Sequence, residues 1–436
     1  MTTTDQQTQP QHEFKLVQST QHANVPLLHY VSPRTNLSVS FAQIEGPLVN
    51  SFITVPTEAS DHDGIPHVLE HMIFLGSHQY PYKGILDQLA NRCLAQGTNA
   101  WTDVDHTCYT LTTAGSEGFN RLLPVYMDHI LYPTITDTGF HTEVHHVDGA
   151  GVDAGVVYCE MQSSENSGNS LVYHTMMETL YDGCGYGYNT GGRVSNLRQL
   201  TVEKVRNYHY RYYRPNNIRV IVTGKVDVHQ VLNALIPVEK SILERAQLHP
   251  EQQREQTMMQ RPWITSHLST FGESVEKTVE FPSDDEDGGA IVCVSWRSVQ
   301  WSDFLTRNAL YVLMSYLTDS AVSPLQREFV ENEEAVCGDL SFSTIEGVQC
   351  STYLMFKNVE TEAMDDIKPQ LFELLEQIKE EGIDMRRMKS VIRQKRVKYL
   401  IGLEEDPHMT FATEMISHCV YGTSEEQLLD SLDELR

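Results

Sequence analysis

The 436-residue chain contains no run of about 18 apolar residues, so no segment reads as a membrane-crossing helix. Its opening, MTTTDQQTQPQHEF, has neither the apolar core of a secretory signal nor the Arg-rich amphipathic face of a mitochondrial leader, and a cytoplasmic location is the expectation. Cationic residues are scarce: 32 Lys+Arg stand against 59 Asp+Glu, for a formal charge of −27. That balance opposes nucleic-acid phosphates and anionic membrane surfaces, so neither is expected as a partner. Cysteines number eight and are scattered, at 93, 108, 159, 184, 293, 337, 350 and 419, with no CxxC pair and no framework spacing. Free thiols in a reducing compartment are the simpler account. The Gly-rich GCGYGYNTGG has no following GK[ST], which argues against a phosphate cradle.

What is present is a soluble composition, 40% hydrophobic and 21% charged, long enough for two domains of about 200 residues each. Residues 1–25 read as a disordered polar tail. From residue 26, VPLLHYVS, LSVSFAQI and VNSFITVP carry strand patterns between turn signals. SDHDGIPHVLEHMIFLGS then reads as a helix, with Asp63 as its cap and Pro66 in its first turn. NAWTDVDHTCYTLTT returns to strand. The loop HTEVHHVDGAGVDAG leads into VVYCEMQ, read as a short strand or turn running into a helix. A helix, a Pro215 turn and the strand IRVIVTG close a first domain over 26–238. Residues 239–274 are rich in Gln, Glu and Arg and read as a linker. A second unit, 275–436, opens with EKTVEFPS and AIVCVSWRS as strands and repeats the plan of strands, apolar helix, strands and long helices. It stops at EEQLLDSLDELR without the closing strand, so it is expected to be truncated. The fold class is therefore α/β (α+β): two similar domains, each a mixed, largely antiparallel sheet packed with helices.

His67 and His71 are four apart, so on a helix both imidazoles leave one face and reach a single ion. Catalytic zinc takes three protein ligands and keeps a fourth position open, and two His plus one Glu is an established set. The third ligand must come from elsewhere in the chain. Glu70 lies between the histidines in an inverted HxxEH order, which suits it to take a proton from the attacking water as general base. Set against this is the plain alternative of two ordinary histidines on an amphipathic helix.

GIPHVLEHMIFLGS, NAWTDVDHTCY, GVVYCEMQ and YNTGG, in that order, resemble the pitrilysin/insulinase family of zinc metallopeptidases, the inverzincins, and within it the presequence-peptidase branch. The resemblance covers residues 26–226, the zinc-bearing N-terminal half, while the second domain is similar to the family's non-catalytic repeat and has no HxxEH. It implies one Zn²⁺ per chain, held by His67, His71 and Glu160, with Glu70 as base. The 88 residues between His71 and Glu160 exceed the spacing of many relatives, the surplus lying in HHVDGAGVDAG, and Glu143 and Glu165 are weaker substitutes. It further implies a supporting carboxylate at Asp153 and a strand edge at Asn99 and Ala100 where a peptide pairs by its main chain. A plain buried strand is the equal alternative for NAWT. His145 and His146, a pair without further ligands, read as solvated. The implied activity is zinc-dependent endopeptidase hydrolysis of peptides or unfolded segments. A C-terminal half or second subunit is the implied partner, closing a chamber. A non-catalytic peptide-binding or structural subunit of the same family is the alternative.

Overall fold

The computed structural model describes residues 11–248, 268, 273–282 and 289–422. These fall into two compact units that are not continuous stretches of chain. The first gathers the described residues up to Cys159, those from Asn189 to Leu248, and His408–Val420; the second holds Glu160–Tyr188, those from Leu268 to Pro407, and Tyr421 with Gly422.

Chain order gives β1 Lys15–His22, β2 Val25–Val31, β3 Ser38–Ala42, β4 Leu48–Pro56, α1 Ile65–Ile73, α2 Ile85–Arg92, β5 Asn99–Thr102, β6 His106–Ala114, α3 Ser116–Leu131, α4 Asp137–Glu143, β7 His146–Val147 and β8 Asp153–Ala154. There follow α5 Val156–Glu165, α6 Gly168–Leu180, α7 Val194–Leu197, α8 Val202–Tyr212, β9 Arg219–Thr223, α9 Val228–Ala234 and α10 Ile236–Leu248. The remainder is β10 Ala290–Gln300, α11 Phe304–Thr318, α12 Pro324–Phe329, β11 Asp339–Ile345, β12 Gln349–Val359, α13 Met364–Glu381, α14 Met385–Glu405 and α15 Pro407–Tyr421.

The first unit is built on a seven-stranded sheet in the order β1-β2-β3-β9-β4-β6-β5, antiparallel except for β3 beside β9. Its central strands carry apolar residues on both faces: Val39, Phe41, Ile53, Val55, Val220, Ile221 and Val222 are all fully buried. Such strands need helices over them, and the apolar faces of α1 (Val68, Leu69, Met72) and α3 (Phe119, Leu123, Met127) supply buried cover. Strand β5 ends the sheet with β6 on one side. In the second unit β10-β12-β11 form an antiparallel sheet whose buried Leu354, Phe356 and Val359 pack with Leu325, Phe329, Ile367 and Leu371 from α12 and α13. Each unit is thus a sheet covered by helices. No helix among the described residues is long and apolar enough to cross a membrane.

Several expectations need correction. The stretch expected to be a tail contains β1, which pairs with β2 through a tight turn in which Ala23 and Asn24 both have positive φ, 47° and 65°. That is the two-residue hairpin geometry whose twist matches paired strands; residues 1–10 lie outside the described residues. The segment 239–248, expected to be linker, is helical, because Val238 and Ile242 recur at helical spacing and are buried. Buried Glu239 there accepts from the Ser32 and Thr35 hydroxyls; of the rest of that linker only Leu268, Glu273 and Ser274 are described. The described part of EKTVEFPS forms no strand, and the second sheet begins at Ala290. The closing EEQLLDSLDELR lies outside the described residues.

The expected domain limits, 26–238 and 275–436, miss two exchanges. Residues 160–188 join the second unit because Met176, Met177 and Leu180 of α6 are buried, with Met176 against Cys293 and the Leu180 carbonyl accepting from Arg297. Residues 408–420 join the first because α15 buries Phe411, Ala412, Met415, Ile416, Cys419 and Val420. Its His418 bonds Arg219 of β9 at 3.0 Å, and Thr223 bonds His408 at 2.9 Å. Fully burying a side chain the size of Phe411, Met415, Ile416 or Val420 is worth about 1.5–3 kcal/mol, so these four settle which unit the helix joins.

Candidate metal centre

Helix α1 begins at Gly64, whose φ of +73° lies in the left-handed region. A Cβ there would come within 2.5 Å of the Gly191 carbonyl oxygen, and Gly192, at φ +91°, backs onto Gly64 in return. The YNTGG loop and the start of the helix therefore touch backbone to backbone, which only glycine permits. Asp63 does not cap the helix: no side chain caps it, and the Asp63 carboxylate instead takes Lys204 and the Asn196 amide.

The helix buries Val68, Leu69, Met72 and Ile73 against the fold and leaves His67 and His71 half-buried on the other side. Their rings meet edge to face with centroids 4.8 Å apart. Glu160 joins them from α5, which is helical from Val156 onward, where a short strand or turn had been expected. The division between the two units falls at 159/160, inside this helix, so its first turn belongs with α1 in the first unit. One ligand atom from each of His67, His71 and Glu160 lies within 4.8 Å of the others, and no other set of three or more such side chains gathers among the described residues. A tetrahedral zinc with bonds of about 2.1 Å needs its ligand atoms about 3.4 Å apart. Small side-chain adjustments close that gap, and two imidazoles with one carboxylate are the donor set zinc prefers, so these residues fit the metal.

Glu143, at the end of α4, approaches His71 Nδ1 with Oε2 at 3.6 Å, while its Oε1 accepts from Lys83 at 3.0 Å. The His71 ring beside it, with Lys83 behind, holds the Glu143 carboxyl below the usual range. A carboxylate facing Nδ1 favours the tautomer that keeps Nε2 for a metal, the usual support for a ligating histidine. Glu143 had been weighed as a substitute ligand. Asp153, expected in that supporting role, instead bonds His145 Nε2 at 2.8 Å and Arg198 at 2.5 Å. Asp153 opens the second strand of the β7–β8 hairpin, while Glu143 ends the helix before it, so counting back from Glu160 selects Asp153 while the fold presents Glu143 to the histidine.

Glu70 is 9% exposed and its Oε2 accepts from the Thr102 hydroxyl at 2.6 Å. Thr102 is in turn 3.3 Å from the Thr107 hydroxyl. Beyond lie Tyr109 and Tyr213, whose hydroxyls bond at 2.8 Å; burial pushes both phenols up, with the charge of Glu70 adding to the effect. Sequence reasoning passed over Thr102. Its signal was available in NAWT, because alternation places Ala100 and Thr102 on one face of β5 and Asn99 and Trp101 on the other. Thr102 shows that the first of these faces meets Glu70. Asn99 is exposed, and its side-chain oxygen accepts the Ala100 N–H at 3.0 Å. His146 bonds the His141 carbonyl, and neither it nor His145 belongs to a ligand cluster.

Comparisons with known proteins bear on the family and the fold. Residues 56–173 match the family model described as Insulinase (Peptidase family M16), and residues 199–395 match the one described as Peptidase M16 inactive domain. The first stretch contains all four of His67, Glu70, His71 and Glu160. An uncharacterised protein of Caenorhabditis elegans is 40% identical over 93% of this chain and 40% of its own length. Presequence protease 1 of Arabidopsis thaliana is 27% identical over 75% of this chain and 30% of its own. The chain thus spans about two fifths or less of the length of these curated relatives. Among solved structures, a protease from Helicobacter pylori superimposes with a TM-score of 0.67 at 17% identity, covering 97% of this chain and 93% of that one. A peptidase M16 inactive domain from Pseudomonas fluorescens gives 0.68 at 12%, covering 94% and 93%. At 17% and 12% identity those two likenesses show the fold alone. The two M16 family models, which together match most of the chain, place it in the insulinase family of peptidases, family M16.

Proposed function

We propose that this chain carries the catalytic site of a zinc-dependent endopeptidase acting on peptides or unfolded polypeptide segments. The observation that supports it is the gathering of His67, His71 and Glu160 with Glu70, a buried carboxylate, between the two histidines on α1. Zinc bound there would polarise the scissile carbonyl and make a water acidic enough to ionise near neutral pH. Glu70, held by Thr102, accepts the proton of the attacking water and returns it to the leaving amine. Glu143 keeps His71 in the ligating tautomer. The edge of β5 offers main-chain pairing to an extended peptide, with Asn99 released from the Ala100 N–H as the peptide binds. Main-chain pairing is indifferent to side chains, which suits a broad range of sequences.

The length of the relatives supports a further partner: the remainder of a longer polypeptide, or a second subunit, completing the site. A second reading is a non-catalytic member of the family, since residues 199–395 match the family model described as an inactive domain. Glu70→Gln separates the two. Under the enzyme reading the purified chain, alone or with its longer form, cleaves a quenched fluorescent peptide, and the variant keeps stoichiometric zinc while losing cleavage. Zinc bound with no cleavage by either form supports the non-catalytic reading, and full activity in the variant rejects the assigned base.

A further inference from the structure

The segment from Asn189 to Arg198 touches the entry of both helices that carry the metal-binding side chains. At α1, the Asn189 N–H donates to His62 Nδ1 at 3.2 Å, the Arg193 N–H donates to the His62 carbonyl at 3.0 Å, and Gly191 and Gly192 back against Gly64. Asn196 also donates its side-chain amide to Asp63 at 3.4 Å. At α5, Arg198 Nε donates to the Tyr158 hydroxyl at 3.2 Å, and one terminal nitrogen is shared between that hydroxyl and Asp153 Oδ2, the latter at 2.5 Å. The other Asp153 oxygen takes His145, whose ring centroid lies 4.8 Å from that of Tyr158.

This grip falls on one of the two residues by which α5 is buried. Val157 and Tyr158 are its buried residues, and the rest, Glu160 included, are exposed or half-buried. Glu160 follows Tyr158 by two positions, about 3 Å along the axis of the same rigid helix. Where Tyr158 is held therefore fixes where the Glu160 backbone stands.

We propose that Arg198 is a positioning residue for Glu160: by fastening Tyr158 and Asp153 to the segment that also seats the start of α1, it sets the spacing between the two ligand-bearing helices. The inference rests on the reading of Glu160 as a zinc ligand. Arg198 bonds Tyr158 and Asp153 rather than a ligand, so a loss of zinc affinity that vanishes when Glu160 is removed distinguishes positioning of Glu160 from general support of the fold.

The test is the zinc dissociation constant of the full chain, measured by competition with a chromophoric chelator, for Arg198→Met, Glu160→Gln and the double variant. Far-ultraviolet circular dichroism and melting in excess chelator check the fold. Arg198→Met is expected to weaken zinc about 10–100-fold, the range for groups that orient ligands, and to add nothing further in the Glu160→Gln background. Unchanged affinity in Arg198→Met, or a loss of the same size with and without Glu160, overturns the proposal. If the methionine variant fails to fold, Arg198→Lys, which keeps a cation for Asp153 but drops the two-nitrogen grip on Tyr158, is read by the same criteria. Wild-type affinity in Glu160→Gln alone would remove the ligand assignment itself, an outcome distinct from a weakened Glu160→Gln beside an unaffected Arg198→Met.

Discussion

Glu70 differs from a surface glutamate in that it is buried and a hydroxyl donor fixes one of its carboxylate oxygens. A hydrogen bond to a charged group contributes about 1.5–3 kcal/mol, and each 1.36 kcal/mol is tenfold in rate. Thr102→Val, which keeps the shape and removes the donor, should therefore lower kcat about 10–100-fold at nearly constant KM, measured on a peptide substrate. An unchanged kcat would show that Thr102 does not orient the base. Glu143 makes a separable prediction. Glu143→Ala removes the acid facing His71 Nδ1 and should weaken zinc about 10–100-fold in chelator competition, whereas Asp153→Ala should act only through Arg198 and Tyr158. Equal zinc affinity of Glu143→Ala and wild type would leave Glu143 as merely the partner of Lys83.

At the scale of elements, the two helices reach their places by different means. Helix α1 is fixed by apolar burial on one side and by glycine-to-glycine contact at its start. Gly64→Ala would place a side chain at φ +73°, at a cost of about 1–2 kcal/mol, and against the Gly191 carbonyl as well. A destabilisation of about 3 kcal/mol is expected in urea titration, with weaker zinc binding because His67 follows three residues later. A Gly64→Ala protein as stable as wild type would contradict the close approach. The HxxEH pattern was legible because four residues make about one helical turn and the sequence alone puts both rings on one face. Asp63 was misread as a cap, since its true partners, Lys204 and Asn196, stand more than a hundred residues away. Similarly, the alternation in β1 is weak, and what makes it a strand is the tight turn at Ala23 and Asn24 and the partner that turn delivers.

Across the whole molecule, α15 returns some 180 residues after β9 to lie with the first sheet, and its His418 joins His29 of β2 and Arg219 of β9 in one buried layer. Burial, with Arg219 and His418 nearby, lowers the His29 pKa to about 3. The native state holds this ring neutral while the unfolded chain protonates it near 6.5, so its contribution to stability is complete above about pH 6.5 and is lost as pH falls toward 3. The urea midpoint is therefore expected to drop between pH 6.5 and pH 4. His29→Gln should flatten that decline whatever it does to stability at neutral pH, and an identical slope in the variant would assign the acid sensitivity elsewhere.

The sequence by itself determined the local chemistry: two imidazoles and a carboxylate on one helical turn, a strand at NAWT, and a pattern suited to sheets covered by helices. These follow from periodicity, which is a property of neighbours along the chain. Tertiary structure decided which acid meets which histidine, that Arg198 grips the helix of Glu160, and that residues 160–188 and 408–420 change units. Those choices depend on what each side chain buries and pairs with across separations of tens to hundreds of residues, where burial and charge pairing act without regard to order along the chain.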